Sequence, residues 1–325
     1  MLNSVLYTLR RLPLILTVAL LGIFSFTSDS DALDRAKFNS FNSFVYGVTS
    51  AGLETVPAEL THQIRQVILE YNGEGREALK IKVSTMGKQW IVHLAGNDAY
   101  FTDGKFDLDS FAEKYDSELQ ALRNNQQVFG FLIADDPFGF EGGKKLTRDQ
   151  LSQVYKFFAN RSTAVMYVNF ISLARGRREL GPEYQPDRGI ADIAMVGYRS
   201  GDVQQFIEAE LKELKRIKAR PVSETWERTP IRLVATMRLP EKLDSATNEA
   251  IVSHFDELLV NLDLNGIFWD GWKSKPGAPG LGTLRRDTQS GPFAENLLKT
   301  TDKYVEDELN YRRGIVGERR RYQPD

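Results

Sequence analysis

The stretch 128–137 (VFGFLIADDP) restricts the fold of this chain more than any other part of the sequence. Seven apolar or glycine residues lead directly into Asp135, Asp136 and Pro137. An apolar run of this length indicates a strand covered on both faces, which is typical of parallel sheets. Because proline has no N–H to donate and restricts the residue before it, the strand should end at Asp136. The two carboxylates then lie at the carboxyl end of a buried strand, where α/β barrels and open α/β sheets place their chemistry.

The rest of the chain alternates between strand-like and helix-like segments. Besides 128–134, strands are predicted over 44–48, 89–94, 164–169, 192–198, 231–237 and 266–269. Helices are predicted over 109–123, 147–158, 202–218, 245–260 and 293–309, and capping-box patterns begin the second and third of these. About eight βα units make a TIM barrel, so we predict an α/β fold of the (β/α)8 TIM-barrel type with an irregular first quarter.

One strand of that barrel is not fixed by the pattern. The second strand falls at either 65–71 or 79–83, and the sequence does not choose between them. A doubly wound open sheet is the structural alternative, but a glycine-rich phosphate loop does not follow the first predicted strand. The long segments 172–189 and 274–291 follow strands, and we expect them to form loops that wall a cleft at the carboxyl-end face.

Composition excludes several classes of function. The chain has 325 residues, a formal net charge of −2 and no cysteine. The near-neutral charge argues against nucleic acid as a partner. Without cysteine, disulfides, thiolate metal sites and cysteine nucleophiles are excluded. The three histidines form no HExxH or paired-His spacing, so we expect no zinc site and no cofactor.

The amino terminus differs from the rest of the chain. Arg10 and Arg11 precede the apolar stretch 12–26, and small and polar residues follow as far as Ala32. This order is typical of an export signal, and the apolar core is shorter than the roughly 20 residues of a membrane span. Residues 1–32 are thus predicted to be a signal peptide or an N-terminal membrane anchor, followed by a barrel domain over 38–311 and a basic tail over 312–325. The folded part is expected to be secreted, periplasmic or on the cell surface, with membrane contact only through that segment.

Three short motifs together resemble those of glycoside-hydrolase-like TIM-barrel proteins. They are Ile133-Ala134-Asp135-Asp136-Pro137 on the fourth strand, His93 to Asp98 on the third, and Phe268-Trp269-Asp270 on the eighth. The resemblance covers roughly 44–307. It implies a general acid at the end of the fourth strand, an aromatic and an acid lining a sugar site at the eighth, and a carbohydrate substrate or ligand.

The sequence departs from that family pattern in two places. Such families usually carry Glu where this chain has Asp136, and retaining enzymes keep a Glu at the end of the seventh strand, where this chain has Met237-Arg238-Leu239-Pro240. The first hypothesis is therefore an exported glycoside hydrolase that uses two carboxylates. The alternative is a catalytically inactive barrel that binds glycan, and a weaker third reading is an enzyme whose acids hold Mg²⁺ or Ca²⁺.

Strand alternation assigns the catalytic roles. If Phe129, Phe131 and Ile133 face the outer helices, then Asp136 points to the mouth of the barrel and Asp135 to the surrounding shell. We predict Asp136 as general acid, Asp270 as its partner and Asp135 as the neighbour that tunes the acid.

Other polar or aromatic residues near strand ends complete the predicted site. Flat aromatic rings beside an acid can stack on sugar rings, and polar side chains can bind sugar hydroxyls. The substrate-binding candidates are Trp272, Trp269, Asn97, Asp98, His93, Tyr46, Asn169, Tyr198 and Arg238.

Overall fold

The computed structural model describes residues 45–49, 66–71, 73–79, 89–123, 125–140, 142–181, 184, 186, 189–199, 204–218, 232–240, 242–270 and 280–315, all within the compact unit Phe44–Asp325. Eight parallel strands close into one barrel in the order β1-β8-β7-β6-β5-β4-β3-β2. Their bounds are β1 Val45–Thr49, β2 Gln66–Glu70, β3 Gln89–His93, β4 Val128–Asp135, β5 Val165–Phe170, β6 Ile193–Arg199, β7 Arg232–Arg238 and β8 Gly266–Asp270.

The predicted TIM barrel is confirmed, and each of the seven predicted strands lies within one residue of its predicted bounds at either end. Of the two segments that the sequence left open for the second strand, the first forms β2. A short antiparallel hairpin follows β3, with strands Phe101–Thr102 and Lys105–Phe106.

Besides a helical turn at 76–79, a 3-10 helix at Asn97–Tyr100 and a π-helix at Asp256–Asn261, the described part of the chain has seven α-helices of six or more residues. They are α1 Leu108–Leu122, α2 Arg148–Ala159, α3 Leu173–Leu180, α4 Gln204–Lys218, α5 Ser245–Phe255, α6 Leu281–Arg286 and α7 Gly291–Arg312. The capping box predicted at the start of α2 is present, since Thr147 Oγ1 accepts from the N–H of Gln150 and the Gln150 side chain accepts from the N–H of Thr147. The cap predicted at Asp202 lies outside the described residues.

Two segments predicted as loops contain helices instead. Helix α3 lies within 172–189, because Ser172 accepts from the N–H of Arg175 and begins a helical turn. Helix α6 lies within 274–291. Arg312 is the last residue of α7 and forms ion pairs with Asp263 and Glu308.

The apolar side chains form an outer and an inner core. The outer core joins the strands to the helices, and Ile251 and Phe255 of α5 are part of it. The inner core fills the barrel with the alternate residues Ile68, Ile91, Phe129, Leu132, Tyr167, Ile193, Met195, Val234 and Phe268. Whether a strand residue belongs to the inner or the outer core shows which face of that strand points into the barrel.

Strand β4 does not alternate regularly, because its register shifts against both neighbours. Against β3 the pairing skips Phe129, and against β5 it skips Ile133. Each shift is a β-bulge, which adds a residue and changes the side to which the following side chains point. As a result Phe129 and Leu132 lie in the inner core, while Ile133 and Ala134 both lie in the outer core.

No helix among the described residues is long and apolar enough to cross a membrane. The predicted export segment 1–32 lies outside the described residues.

Candidate active site at the carboxyl ends of the strands

The carboxyl ends of the barrel strands meet at a mouth lined by polar side chains. Alternation from the inner-core residues places six described side chains on the inward face at or near a strand end: Glu70, His93, Asp135, Asn169, Arg238 and Asp270. We refer to these six residues as the mouth residues.

The end of β4 presents Asp135 to the mouth. Its side chain is exposed, and its Oδ1 accepts a hydrogen bond of 2.8 Å from Nδ2 of Asn169, its register partner on β5. The amide fixes the orientation of the carboxylate. Asn97 supports the same strand end from behind, since its Nδ2 donates to the backbone oxygens of Asp135 at 2.7 Å and Asp136 at 3.1 Å.

The sequence-based orientation of the two adjacent acids is reversed in the structure. Asp136 is only 7% exposed, and its backbone has a φ of 47°, in the left-handed region. Burial raises the pKa of the nearby Tyr184 phenol, and the charge of Asp136 adds to that increase. The physical reason for the reversal is the bulge at Ile133, which adds one residue to β4 and so turns Asp135 to the side predicted for Asp136.

Asp270, at the end of β8, is paired with an arginine on the neighbouring strand. Arg238 Nε lies 3.0 Å from Asp270 Oδ2, and the two side chains are 32% and 22% exposed. The charged hydrogen bond fixes the orientation of the Asp270 carboxylate relative to β7. The structure thus brings both predicted residues to one site, but as partners of each other.

Five of the six mouth residues fall into two layers. In a TIM barrel the four inward side chains of a layer come from alternate strands. The strand registers place Glu70, Asp135 and Asp270 in the upper layer, where Gly197 of β6 takes the fourth position. We call this upper set the acid layer.

The layer beneath the acid layer forms the floor of the mouth. It contains His93 of β3, Asn169 of β5 and Thr236 of β7. Thr236 is 6% exposed and its Oγ1 has no hydrogen-bond partner among the described residues, as is also true of Asn169 Oδ1. Buried polar atoms are normally hydrogen-bonded, so these two oxygens are available to a ligand hydroxyl or to water.

Other predicted binding residues lie away from the mouth. Trp269 is fully buried and packs edge-on against Phe255, so it belongs to the outer core and presents no face to a sugar. Asp98 is exposed and accepts a hydrogen bond of 2.9 Å from the backbone N–H of Lys144. This bond stabilises the segment that follows β4. Trp272 and the side chains of Tyr46 and Tyr198 lie outside the described residues.

The sequence analysis missed Glu70, which is one of the mouth residues, and Thr236 in the layer beneath the acid layer. Glu70 ends the candidate strand 65–71, and an acid at a strand end was the signal used for Asp135 and Asp270. It was overlooked because the second strand itself was uncertain. Thr236 gives no such signal, since a threonine inside a strand is ordinary.

The acids do not converge on one point. Within the described ranges, no group of three or more His, Asp or Glu side chains is placed to hold a metal ion. The mouth residues therefore form a spaced polar cleft.

Comparisons with known proteins agree with this fold. No protein-family model and no curated protein matches the chain. Among solved structures, a mutant of Saccharomyces cerevisiae Gas2p in complex with laminaritetraose and laminaripentaose has a TM-score of 0.53 at 11% identity, over 80% of this chain and 64% of that one. The endo-1,4-beta-mannanase of Rhizomucor miehei has a TM-score of 0.51 at 11% identity, over 80% of this chain and 95% of that one.

A third similar structure is the beta-glucuronidase of Ruminococcus gnavus, with a TM-score of 0.46 at 11% identity. This chain covers 73% of its own length there but only 44% of the glucuronidase. At these identities the likeness shows the fold alone. The protein is an α/β barrel of the TIM type, and its structural neighbours are glycoside hydrolases.

Proposed function

We propose that the protein is a glycoside hydrolase that cleaves an oligo- or polysaccharide with carboxyl groups of the acid layer. The observation that carries the proposal is the acid layer itself, with Glu70, Asp135 and Asp270 on inward faces at the carboxyl end of the barrel. That end is where TIM-barrel enzymes place their catalytic groups. Hydrolysis of a glycosidic bond by two carboxyl groups needs neither metal nor cofactor.

In this proposal Asp135, and not Asp136, is the catalytic carboxyl group at the end of β4. A catalytic carboxyl group must reach the substrate, and Asp135 is the exposed member of the pair. The amide of Asn169 holds it in one orientation, which is the positioning that a reacting group requires. Asp136 lies in the protein behind it and supports the strand end.

Asp270 and Arg238 together suit the binding of sugar hydroxyls. A carboxylate accepts hydrogen bonds from sugar hydroxyls, and a guanidinium donates hydrogen bonds to them. His93 and Thr236 on the floor offer further polar contacts. The ring stacking predicted for Trp272 and the export predicted from residues 1–32 remain part of the proposal as predictions.

Hydrolysis assays on matched variants test this function. We would incubate the protein with laminari-oligosaccharides, β-1,4-mannan and a panel of aryl glycosides, and measure released reducing ends or aglycone. We expect Asp135→Asn to abolish cleavage with an unchanged circular dichroism spectrum. The opposite result, in which folded Asp136→Asn is inactive and Asp135→Asn is active, would return the role to Asp136.

A second candidate function is glycan binding without cleavage. One observation favours it. Strand β7 ends in Arg238 and so brings no carboxylate to the mouth, and Arg238 pairs with the carboxylate of Asp270. Under this alternative the wild-type protein would bind oligosaccharides in calorimetry but would release no product from any of them.

A further inference from the structure

A two-carboxylate mechanism needs a second catalytic group, and the position of Asp270 makes it a poor partner for Asp135. Strands β4 and β8 are four apart in a barrel of eight, so they face each other across its full width. Eight strands about 4.8 Å apart and tilted by about 36° give a Cα diameter of about 15 Å. Two Asp side chains reaching inward then leave their carboxyl carbons about 10 Å apart, at or beyond the separation of about 6.5–9.5 Å used for inversion.

Glu70 is closer to Asp135 by the same geometry. It lies on β2, only two strands from β4, with β3 and its His93 between them. With the longer reach of glutamate, the carboxyl carbons of Glu70 and Asp135 are about 6 to 7 Å apart, which leaves room for a water molecule and a sugar ring. This spacing agrees with the finding that no three acidic or histidine side chains among the described residues are close enough together to bind one metal ion.

The surroundings of Glu70 fit a reacting group. Its side chain is exposed and makes no hydrogen bond or ion pair within the described part of the chain, whereas Asp135 is held by Asn169 and Asp270 by Arg238. Glu70 is thus the member of the acid layer whose side chain is not held by another described side chain.

The wall opposite Glu70 carries no side chain. That position of the acid layer is Gly197, where an added Cβ would lie 2.1 Å from the carbonyl oxygen of Ile171. The strand therefore accepts only glycine there, and this side of the acid layer is formed by backbone. Beneath the layer, the unpartnered hydroxyl of Thr236 and amide oxygen of Asn169 are placed to bind a ligand in the same space.

We propose that Glu70 is the second catalytic carboxyl group, acting as general acid with Asp135 as general base in an inverting hydrolysis. The inference rests on the proposed function and names the pair of residues that performs it. Glu70 donates its proton to the glycosidic oxygen as the bond from that oxygen to the anomeric carbon breaks. Asp135 takes a proton from the attacking water, whose oxygen forms the new bond to the anomeric carbon. Exchange of one proton with solvent restores both carboxyl groups.

The leaving group of the substrate separates the two roles. On the laminari-oligosaccharide or mannan that the wild type cleaves, we expect Glu70→Gln to lower kcat/KM by about 100-fold or more, the usual contribution of a general acid. On the corresponding glycosyl fluoride, which needs little acid assistance, the same variant should lose less than about 10-fold. Asp135→Asn should fail on both substrates, and azide should restore turnover and give a glycosyl azide of inverted configuration.

Two further measurements exclude a merely structural effect. Glu77→Gln is a matched control, since Glu77 is an exposed glutamate outside the barrel strands, and its ion pair with Arg76 at 3.4 Å lies on the surface. It should retain wild-type activity on both substrates. Removal of the general acid should also abolish the alkaline limb of the pH profile of kcat/KM, which a change in packing would not do.

The outcomes separate this inference from the proposed function. If Glu70→Gln retains full activity on the oligosaccharide and Asp270→Asn loses it, Glu70 is not the acid and the hydrolase proposal stands. If Glu70→Gln loses equal activity on oligosaccharide and fluoride, the acid role is also wrong. If the wild type cleaves no substrate, both proposals fail together.

Discussion

We expect the hydroxyl of Tyr100 to stabilise the bulge that turns Asp135 into the mouth, and the variant Tyr100→Phe tests this. Tyr100 is 1% exposed, and its hydroxyl donates at 2.6 Å to the carbonyl oxygen of Ile133, the bulged residue. The substitution removes only the oxygen. The ring keeps its contact with Phe111 at a centroid distance of 4.7 Å, so no cavity forms.

The expected cost follows from that hydrogen bond alone. Taking the donor from a buried carbonyl costs about 1 to 3 kcal/mol, out of a total stability of about 5–15 kcal/mol for a typical domain. Tyr184→Phe is a matched control, since Tyr184 is 2% exposed and its hydroxyl has no hydrogen-bond partner among the described residues. That variant should lose nothing and should gain about 0 to 1 kcal/mol, because it removes an unpaired polar atom from the core.

Urea unfolding at neutral pH, followed by circular dichroism, measures both free energies of unfolding. Tyr100→Phe should unfold at a lower urea concentration with an unchanged slope, and its activity should fall because Asp135 is less firmly placed. Equal stability of Tyr100→Phe and Tyr184→Phe would show that the Tyr100 hydroxyl does not hold the bulge, and our account of the Asp135 orientation would be wrong.

Three further predictions concern other polar contacts. A double-mutant cycle of Arg238→Gln and Asp270→Asn should give a coupling energy of about 1 kcal/mol that falls as salt is added, since the pair is only partly buried; no coupling would refute the ion pair. Burial raises the pKa of Glu210 above 4.5, although its carboxylate accepts hydrogen bonds from Ser172 and from N-terminal N–H groups of α3. The contribution of Glu210 to stability is therefore greatest below about pH 4.5, and it is lost as pH rises through the folded pKa. Stability measured against pH should therefore fall relative to Glu210→Gln as pH rises, and a constant difference would contradict the shift. Thr147→Ala should lower the free energy of unfolding by about 1 kcal/mol through loss of the α2 capping box, and urea midpoints indistinguishable from wild type would argue against that cap.

Much of the fold could be predicted because its signals are local in the sequence. The apolar runs of the strands, the Thr147 capping box and the buried face of α5 each depend on residues within one element. The first quarter was less certain, since two segments there have similar strand character and only the closed barrel selects 66–70 as β2. Helices α3 and α6 were missed because each is short and lies among turn-forming residues.

The sequence alone determined the (β/α)8 architecture and the presence of acids at the ends of β4 and β8, because strand spacing and the proline at 137 specify where the chain turns. Only the tertiary structure decided which acid faces the mouth, that Arg238 and Asp270 meet, and that Glu70 joins them. These facts depend on register between strands far apart in sequence, and a single bulge of one residue is enough to exchange the two sides of a strand.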